Sequence, residues 1–304
     1  MEAIVPLPLV SVTFSGDLRL TVLQAMSVDR LFDLPTVSEY VILINESADS
    51  FGSVRAALLR LLRTAVSEEL FSKIRILGWT DFYPETARIG FYDQQMLKLA
   101  VSRALSAPFY LLLDAKNHFV AKAGWRDFFS DDGKPLLDRV ATSDYWRSNL
   151  EGSFALVGED PAAYDQSEMP TSITPFVMVT AETRELINQL EEKYQTILPN
   201  VFKGREGSAT EFLVYYAYLS AMKKLTLYSR GEKPVRTLFT VWPQETATVS
   251  RLVRESAEAG SVLFGLHRNR VPQLSDSQVG EISALWRKNL LKPWEDPQWF
   301  LGAD

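Results

Sequence analysis

Short apolar segments alternate with longer amphipathic segments through the first 120 residues of the chain. The apolar segments have the length of strands and are rich in Val, Ile and Leu, as is typical of strands covered on both faces. They predict strands over residues 8–14, 40–45, 74–79 and 108–113, helices over residues 18–32, 54–71 and 91–105, and a polar turn over residues 46–53. This alternation predicts an α/β fold with a mostly parallel, mixed sheet flanked by helices.

The second half of the chain has a less regular pattern. Apolar runs predict strands over residues 154–157, 176–180, 236–241 and 261–266, and helical spacing predicts helices over residues 183–197, 210–223 and 275–290. The sequence shows no internal repeat, no low-complexity tract and no linker long enough to separate domains. We therefore expect residues 1–304 to form a single domain with an elaborated C-terminal half.

The amino-acid composition of the chain excludes several kinds of site and makes a nucleic-acid partner unexpected. The 304 residues include no cysteine, which excludes disulfides, thiolate metal sites and a cysteine nucleophile. The formal net charge is −6 and the basic residues are scattered, so the chain lacks the basic face of a duplex nucleic-acid binder. We expect no nucleic-acid partner, although a small anionic ligand can still bind in a local pocket.

The sequence shows neither a secretory signal nor an apolar stretch of about 20 residues, the length that spans a bilayer. These features predict a cytoplasmic protein without a transmembrane segment, whose contact with a membrane would be peripheral, at its inner face. The aromatic tail at residues 294–300 can dock on a partner or on a membrane-bound assembly. The plainer alternative, which we favour, is that these aromatic residues pack on their own domain.

Polar and aromatic residues follow each of the four N-terminal strands. The carboxyl ends of parallel strands share one edge of a sheet, and ligands bind there, near the switch in strand order. The candidates are residues 13–17, Asn45 and Glu46, residues 79–81 and residues 114–118. Asp114 is the most informative of them, because an acidic residue at the end of an apolar strand presents a carboxylate to a metal or a sugar. Asp114 can equally cap a turn.

Two further features carry candidate chemistry, each with a plainer structural alternative. Lys98 can pair with a phosphate and the neighbouring Gln94 and Gln95 can hydrogen-bond a sugar or base, or all three form a solvated helix face. His267 and Arg268 follow a predicted strand and can bind a metal and a phosphate. A lone histidine is nevertheless more often structural than a ligand.

Glu211 follows Thr210 at the start of a predicted helix. Thr210 can cap this helix and Glu211 can interact with its dipole, or Glu211 can act as a general base in a cleft. The sequence has no Gly-x-Gly-x-x-Gly after its first strand, no Walker-type loop and no Gly-x-Ser-x-Gly elbow. The nucleotide-binding and hydrolase types that these motifs mark are therefore unsupported.

Several of these residues occur in an order that resembles a known family. Gly90, Gln94, Gln95 and Lys98 match a G-x-x-x-Q-Q-x-x-K helix that precedes a strand ending at Asp114. Further short motifs match in the same order at residues 12–17, Ser27, residues 210–215 and residues 264–268. The family consists of bacterial glycosyltransferase-like proteins from polysaccharide gene clusters that carry an uncharacterised domain. The resemblance spans most of the chain and implies a GT-A-like, Rossmann-type fold.

One departure from the family pattern affects the chemistry. The family's strand ends in Asp-x-Asp, whereas this chain reads Asp114-Ala115-Lys116. In GT-A enzymes with that motif the carboxylates bind Mn²⁺ or Mg²⁺, which neutralises the donor diphosphate. Here Lys116 can supply the positive charge without a metal; alternatively Asp114 and His267 hold a metal with Asn117 as an accessory, or the site has lost activity. We favour Lys116, because a dication repels an adjacent ammonium.

The resemblance implies a glycosyltransferase that moves a sugar from a nucleotide-sugar donor to a bacterial surface polysaccharide or a related glycan acceptor. It implies a nucleotide-binding half over residues 1–120 and an acceptor-side half over residues 121–304. The donor would contact Thr13, Phe14, Asp17, Asn45, Gln94, Gln95, Lys98, Asn117 and Arg268, and the catalytic residues would be Asp114, Lys116 and the general base Glu211. The alternative is a catalytically inactive binding or assembly protein of the same fold in polysaccharide biosynthesis.

Overall fold

The computed structural model describes residues 5–83, 90–203, 208–258 and 261–302. The strands of this part of the chain are β1 (Leu7–Thr13), β2 (Val37–Ile44), β3 (Ile74–Gly78), β4 (Phe109–Asp114), β5 (Asn117–Phe119), β6 (Leu136–Leu137), β7 (Arg139–Ala141), β8 (Glu168–Pro170), β9 (Phe176–Val179), β10 (Ser229–Arg230), β11 (Val235–Leu238) and β12 (Leu263–Leu266). Its α-helices are α1 (Leu18–Leu31), α2 (Ala48–Ala65), α3 (Glu68–Lys73), α4 (Phe91–Ala100), α5 (Asp144–Val157), α6 (Thr180–Tyr194), α7 (Leu198–Phe202), α8 (Glu211–Ala221), α9 (Thr246–Glu258), α10 (Asp276–Asn289) and α11 (Pro297–Leu301). Within the described ranges, every helix is too short or too polar to cross a bilayer.

Five strands form the central sheet, in the order β3-β2-β1-β4-β9. The first four are mutually parallel, whereas β9 runs antiparallel to β4 at the edge. The chain runs from β1 to β2 and β3 on one side and returns to β4 on the other, so the strand order reverses between β1 and β4. This arrangement confirms the predicted α/β fold with a mostly parallel, mixed sheet, and it defines the switch point at which ligands of such sheets bind.

Both faces of the central sheet are covered. Every residue of β1 is buried; Leu7 and Leu9 pack on one side, and Val10 and Val12 pack on the other. On the first side α1, α2 and α3 pack on the sheet, and α9, α10 and α11 extend the same hydrophobic core; the core on the second side includes α4, α5, α6, α7 and α8. Burial on both faces explains why the sequences of β1 and β2 are nearly continuous apolar runs.

A smaller sheet, in the order β11-β12-β5, lies against the C-terminal helices. β12 is parallel to β11 and antiparallel to β5. His118 of β5 is buried, and its Nε2 accepts the indole N–H of Trp286 from α10 at 2.7 Å. Burial lowers the pKa of His118 to about 3, so its imidazole is neutral and serves the packing of β5 on α10.

The single helix predicted over residues 54–71 is wrong in its extent. α2 begins at Ala48, inside the predicted turn at residues 46–53, and a second helix, α3, follows it. Ser67 separates the two, because its hydroxyl accepts the N–H of Leu70 at 3.3 Å and caps α3. A cap residue in the middle of an amphipathic pattern thus ends one helix and begins another.

The strand predicted over residues 154–157 is also wrong, since these residues form the last turn of α5. Leu150 and Phe154 are both buried on one side of that helix, four residues apart. A run of four apolar residues fits both the two-residue period of a strand and the 3.6-residue period of a helix. Its length alone therefore does not distinguish the two elements. The other predicted elements are confirmed, with ends that differ by a few residues.

Gly152 lets α5 pack closely against the segment that leads into α8. A Cβ at this position would lie 1.9 Å from the carbonyl oxygen of Ser208. We expect Gly152→Ala to force α5 and α8 apart and to lower the free energy of unfolding by about 1–3 kcal/mol, measured by urea denaturation.

Gly52 is the matched control, because it also lies within a helix, α2, and a Cβ there would meet nothing within 4 Å. Gly52→Ala should raise the free energy of unfolding by about 0.5–1 kcal/mol, as the helix gains propensity. Similar effects of the two substitutions would contradict the close approach of α5 to α8.

Candidate active site

A cleft of about 730 Å³ opens at the carboxyl ends of β1 and β4, beside the switch point of the central sheet. The starts of α5 and α8, one side of α4, and the segments that follow β11 and β12 complete its walls. The cleft brings together the predicted site residues Asp17, Gln94, Gln95, Lys98, Asp114, Lys116, Glu211, His267 and Arg268. These residues are far apart in sequence, and the sheet edge collects them as expected for this fold class.

Lys98 lies at the centre of a buried ion network on the cleft floor. Its side chain is 5% exposed, and its Nζ lies 2.7 Å from Oδ1 of Asp114 and 2.9 Å from Oε1 of Glu211. Burial lowers the pKa of Lys98, but the two carboxylates outweigh burial and hold the pKa above its usual range. The three charges come from α4, β4 and α8, so the network joins three elements at one point.

Asp114 has a second ammonium partner. Lys116 Nζ contacts Oδ2 of Asp114, and the hydroxyl of Thr174 lies 2.9 Å from the same oxygen. Burial raises the pKa of Asp114, but Lys116 and Lys98 outweigh burial and hold the pKa well below its usual range. The carboxylate is therefore ionised, with one lysine on each oxygen, and its side chain keeps 21% of its surface exposed.

Gln24 of α1 stabilises the turn between Asp114 and Asn117 by hydrogen bonds to the backbone of the turn. Gln24 Nε2 donates to the carbonyl oxygens of Asp114 and Asn117, both at 2.7 Å, and its Oε1 accepts the Tyr40 hydroxyl at 2.7 Å. Oδ1 of Asn117 accepts the backbone N–H of Asp114 at 3.0 Å. Gln24 therefore positions the carboxylate without reaching the cleft, and sequence reasoning missed it.

Arg268 and Asp17 face each other at the end of β12 and the start of α1. Arg268 Nε lies 3.4 Å from Oδ1 of Asp17, and its guanidinium lies 4.9 Å from the ring centroid of Phe14. Asp17 and Thr210 occupy the N-cap positions of α1 and α8, but neither side chain makes a capping hydrogen bond, although capping by Thr210 was one of the predictions. The Asp17 carboxylate pairs with Arg268 instead. The Thr210 hydroxyl lies 3.1 Å from the hydroxyl of Ser172.

Four predicted donor contacts, among them Phe14, do not line the cleft. Thr13 is buried, with its hydroxyl 2.6 Å from a threonine hydroxyl of α1. Asn45 uses both ends of its amide, since Nδ2 donates to the carbonyl of Gly90 and Oδ1 accepts the indole N–H of Trp79, both at 3.0 Å. Asn117 is fully buried in the turn described above. These side chains support the loops around the cleft, and Phe14 supports Arg268.

The metal alternative does not fit the geometry of Asp114 and His267. Both carboxylate oxygens of Asp114 already accept from ammonium groups. His267 Nδ1 accepts the backbone N–H of Asn269 at 3.2 Å, so the neutral ring carries its proton on Nε2 and offers no lone pair there. Burial and the charge of Lys116 lower the pKa of His267, which keeps the ring neutral. In the described ranges, His, Asp and Glu side chains nowhere form a group of three that could hold a metal.

Lys233 is a further lysine beside the cleft, and sequence reasoning missed it because no motif marks it. Its Nζ donates to the carbonyl of Thr171 at 2.8 Å and contacts that of Ile173, which lines the cleft. It also lies 5.7 Å from the ring centroid of Phe212, a ring that the Lys98 ammonium faces at 5.3 Å. Burial lowers the pKa of Lys233 to about 7. Lys233 thus contacts both the backbone of one cleft wall and the Phe212 ring, which also faces the ammonium of Lys98.

Comparison with family models matches residues 1–250 to DUF6492, a family of unknown function. The chain belongs to the DUF6492 family. Membership of a family with an uncharacterised domain is therefore confirmed, while its activity stays a prediction. His267 and Arg268 lie beyond the matched residues. A comparison with curated proteins finds no match.

Solved structures similar to the chain include two of the galactosyltransferase LgtC. One, in complex with donor and acceptor sugar analogs, is 12% identical, with 95% of this chain and 98% of that chain covered and a TM-score of 0.43. The other, an active-site mutant of LgtC, has the same identity and coverage and a TM-score of 0.45. At this sequence identity and TM-score, the similarity gives no information about the function of this chain.

Loss of the central ammonium should destabilise the protein strongly. We expect Lys98→Met to lower the free energy of unfolding by about 3–5 kcal/mol, because it leaves the buried Glu211 carboxylate without its ammonium partner and Asp114 with Lys116 alone. Adding Glu211→Gln removes one of those charges, so the double variant should lose about 1–3 kcal/mol less than the sum of the two single losses. Urea denaturation of the four proteins measures this coupling.

The exposed Lys288 of α10 provides the control, and Lys288→Met should change stability little. Additive losses for Lys98→Met and Glu211→Gln would contradict the ion network.

Proposed function

We propose that this cleft binds a nucleotide-sugar donor and transfers its sugar to a glycan acceptor. Bacterial surface polysaccharide is the acceptor class that the sequence resemblance implies. The observation that carries the proposal is the Asp114 carboxylate at the switch point of the sheet, held between the ammonium groups of Lys98 and Lys116. The switch point is where open α/β sheets bind nucleotides, and the paired lysines place positive charge there.

The charge of the motif supports binding of a diphosphate without a metal. Lys116 occupies the position at which the family motif has its second aspartate. Replacing a side chain of charge −1 with one of charge +1 adds two positive charges, as many as a divalent cation carries. The Lys116 side chain is 15% exposed and that of Arg268 is 47% exposed, so both can reach a ligand in the cleft. Fixed cations of this kind stabilise charge that develops on a leaving group at little cost of reorganisation.

The proposed reaction uses the charged residues of the cleft in separate roles. The oxygen of an acceptor hydroxyl forms a bond to the anomeric carbon of the donor, and the bond from that carbon to the diphosphate oxygen breaks. The hydroxyl proton passes to Glu211, whose Oε1 is held by Lys98 and whose Oε2 is left to accept the proton. Lys116 and Arg268 stabilise the negative charge that remains on the departing diphosphate.

A thermal-shift panel of UDP, GDP, CMP, dTDP and ADP tests donor binding. A nucleotide at about 100 times its dissociation constant stabilises the native state by about 2.7 kcal/mol, which raises the melting temperature by several degrees. We expect one nucleotide of the panel to produce this shift, and Lys116→Ala to remove most of it, because the diphosphate loses an ammonium partner.

Lys288→Ala is the matched control, since this lysine is exposed on α10 and outside the cleft, and it should keep the full shift. No shift with any nucleotide in the folded protein would contradict the proposal. A shift without turnover of the corresponding nucleotide sugars would instead support the inactive binding or assembly protein.

A further inference from the structure

Large aromatic side chains lie on two walls of the cleft and keep most of their surface exposed. Tyr145 is 76% exposed and Trp242 is 66% exposed, and both line the cleft. By contrast, Gln95 and Lys98 on the same cleft are 2% and 4% exposed. The aromatic pair therefore forms the mouth of the cleft and the polar residues form its floor. Exposed aromatic surface that lines a cleft is typical of a ligand-binding surface.

Both aromatic residues are held by local structure. Tyr145 lies in the first turn of α5, where its ring packs edge-on against Trp146 with 5.1 Å between the centroids. Trp242 belongs to the turn after β11, in which its carbonyl accepts the N–H of Phe239 at 2.8 Å. Thr240 of the same turn lies 3.1 Å from Nδ1 of His267, which lines the cleft. Hydrogen bonds thus link the turn that carries Trp242 to His267 in the cleft lining.

A buried side-chain acceptor of the cleft, that of Gln95, lacks a hydrogen-bond donor within the described ranges. Gln95 is almost fully buried, and its Oε1 has no hydrogen-bond partner among the described residues. A buried carbonyl oxygen without a donor destabilises a protein, so such an atom beside a cleft is a place where a ligand or a water molecule can supply the donor. A ligand hydroxyl can fill this role.

The two observations together specify the chemistry of the ligand. It must offer a C–H face to aromatic rings and O–H groups to a buried acceptor, and a pyranose ring has both. A hydrocarbon chain would cover the aromatic rings but would leave Gln95 without a donor. We propose that Tyr145 and Trp242 form a stacking subsite for a pyranose ring of the sugar that the cleft binds. That this sugar is a substrate rests on the proposed function.

Saturation-transfer difference NMR with n-octyl β-D-glucopyranoside, below its critical micelle concentration, tests the subsite. This probe carries a pyranose ring and an alkyl chain in one molecule, so the protons that gain saturation identify the group that binds. We expect saturation of the ring protons, and Trp242→Ala and Tyr145→Ala should each weaken binding of methyl β-D-glucopyranoside about fivefold, as each removes one aromatic contact. Trp242→Phe should retain most of the affinity.

Trp294 supplies the control, because it is 78% exposed and does not line the cleft, and Trp294→Ala should leave the saturation unchanged. Saturation of the alkyl protons alone, saturation retained in both alanine variants, or no saturation of either glucoside would overturn the subsite. The measurement needs no nucleotide, so its failure is distinct from failure of the nucleotide thermal shift. A thermal shift with no pyranoside binding would leave the donor site intact and remove only the stacking subsite.

Discussion

The ion network around Lys98 is the interaction on which the candidate site depends. One ammonium joins a carboxylate at the end of β4 to a carboxylate at the start of α8, and α4 supplies the lysine between them. A buried ion pair of this kind adds little net stability compared with an apolar pair, but the loss of one partner is costly. The network therefore fixes the relative positions of three elements around the cleft, and it keeps Asp114 ionised at the switch point of the sheet.

The balance of charge in the cleft follows from this network. Lys98 is shared between Asp114 and Glu211, so with Lys116 the four side chains carry two positive and two negative charges, and Lys116 is the more exposed of the two cations. Lys116 is also near His267 and helps to keep that imidazole neutral. Lys116 thus contributes to both features, together with Lys98 on the other oxygen of Asp114 and with the burial of His267. The aromatic mouth then adds apolar surface above this polar floor.

Much of the fold could be predicted because buried parallel strands leave a local signal in the sequence. Asp114 and Lys98 were predicted as site residues since one ends such a strand and the other belongs to a spaced motif. Gln24 gave only a weak signal, a polar residue on the apolar side of α1, and its two carbonyl acceptors are distant in sequence. Lys233 and Trp242 gave no signal, because their roles depend on which segments the tertiary structure brings to the cleft.

The most direct test of the metal-free site is calorimetric titration of the protein with the nucleoside diphosphate that gives the largest thermal shift. The titration is run once in EDTA and once in excess Mn²⁺. If Lys116 and Arg268 supply the positive charge, the two dissociation constants should agree within about threefold, a difference of less than about 1 kcal/mol. Binding that occurs only in the presence of Mn²⁺ would contradict the account, because it would require Asp114 to exchange its lysine partners for a metal.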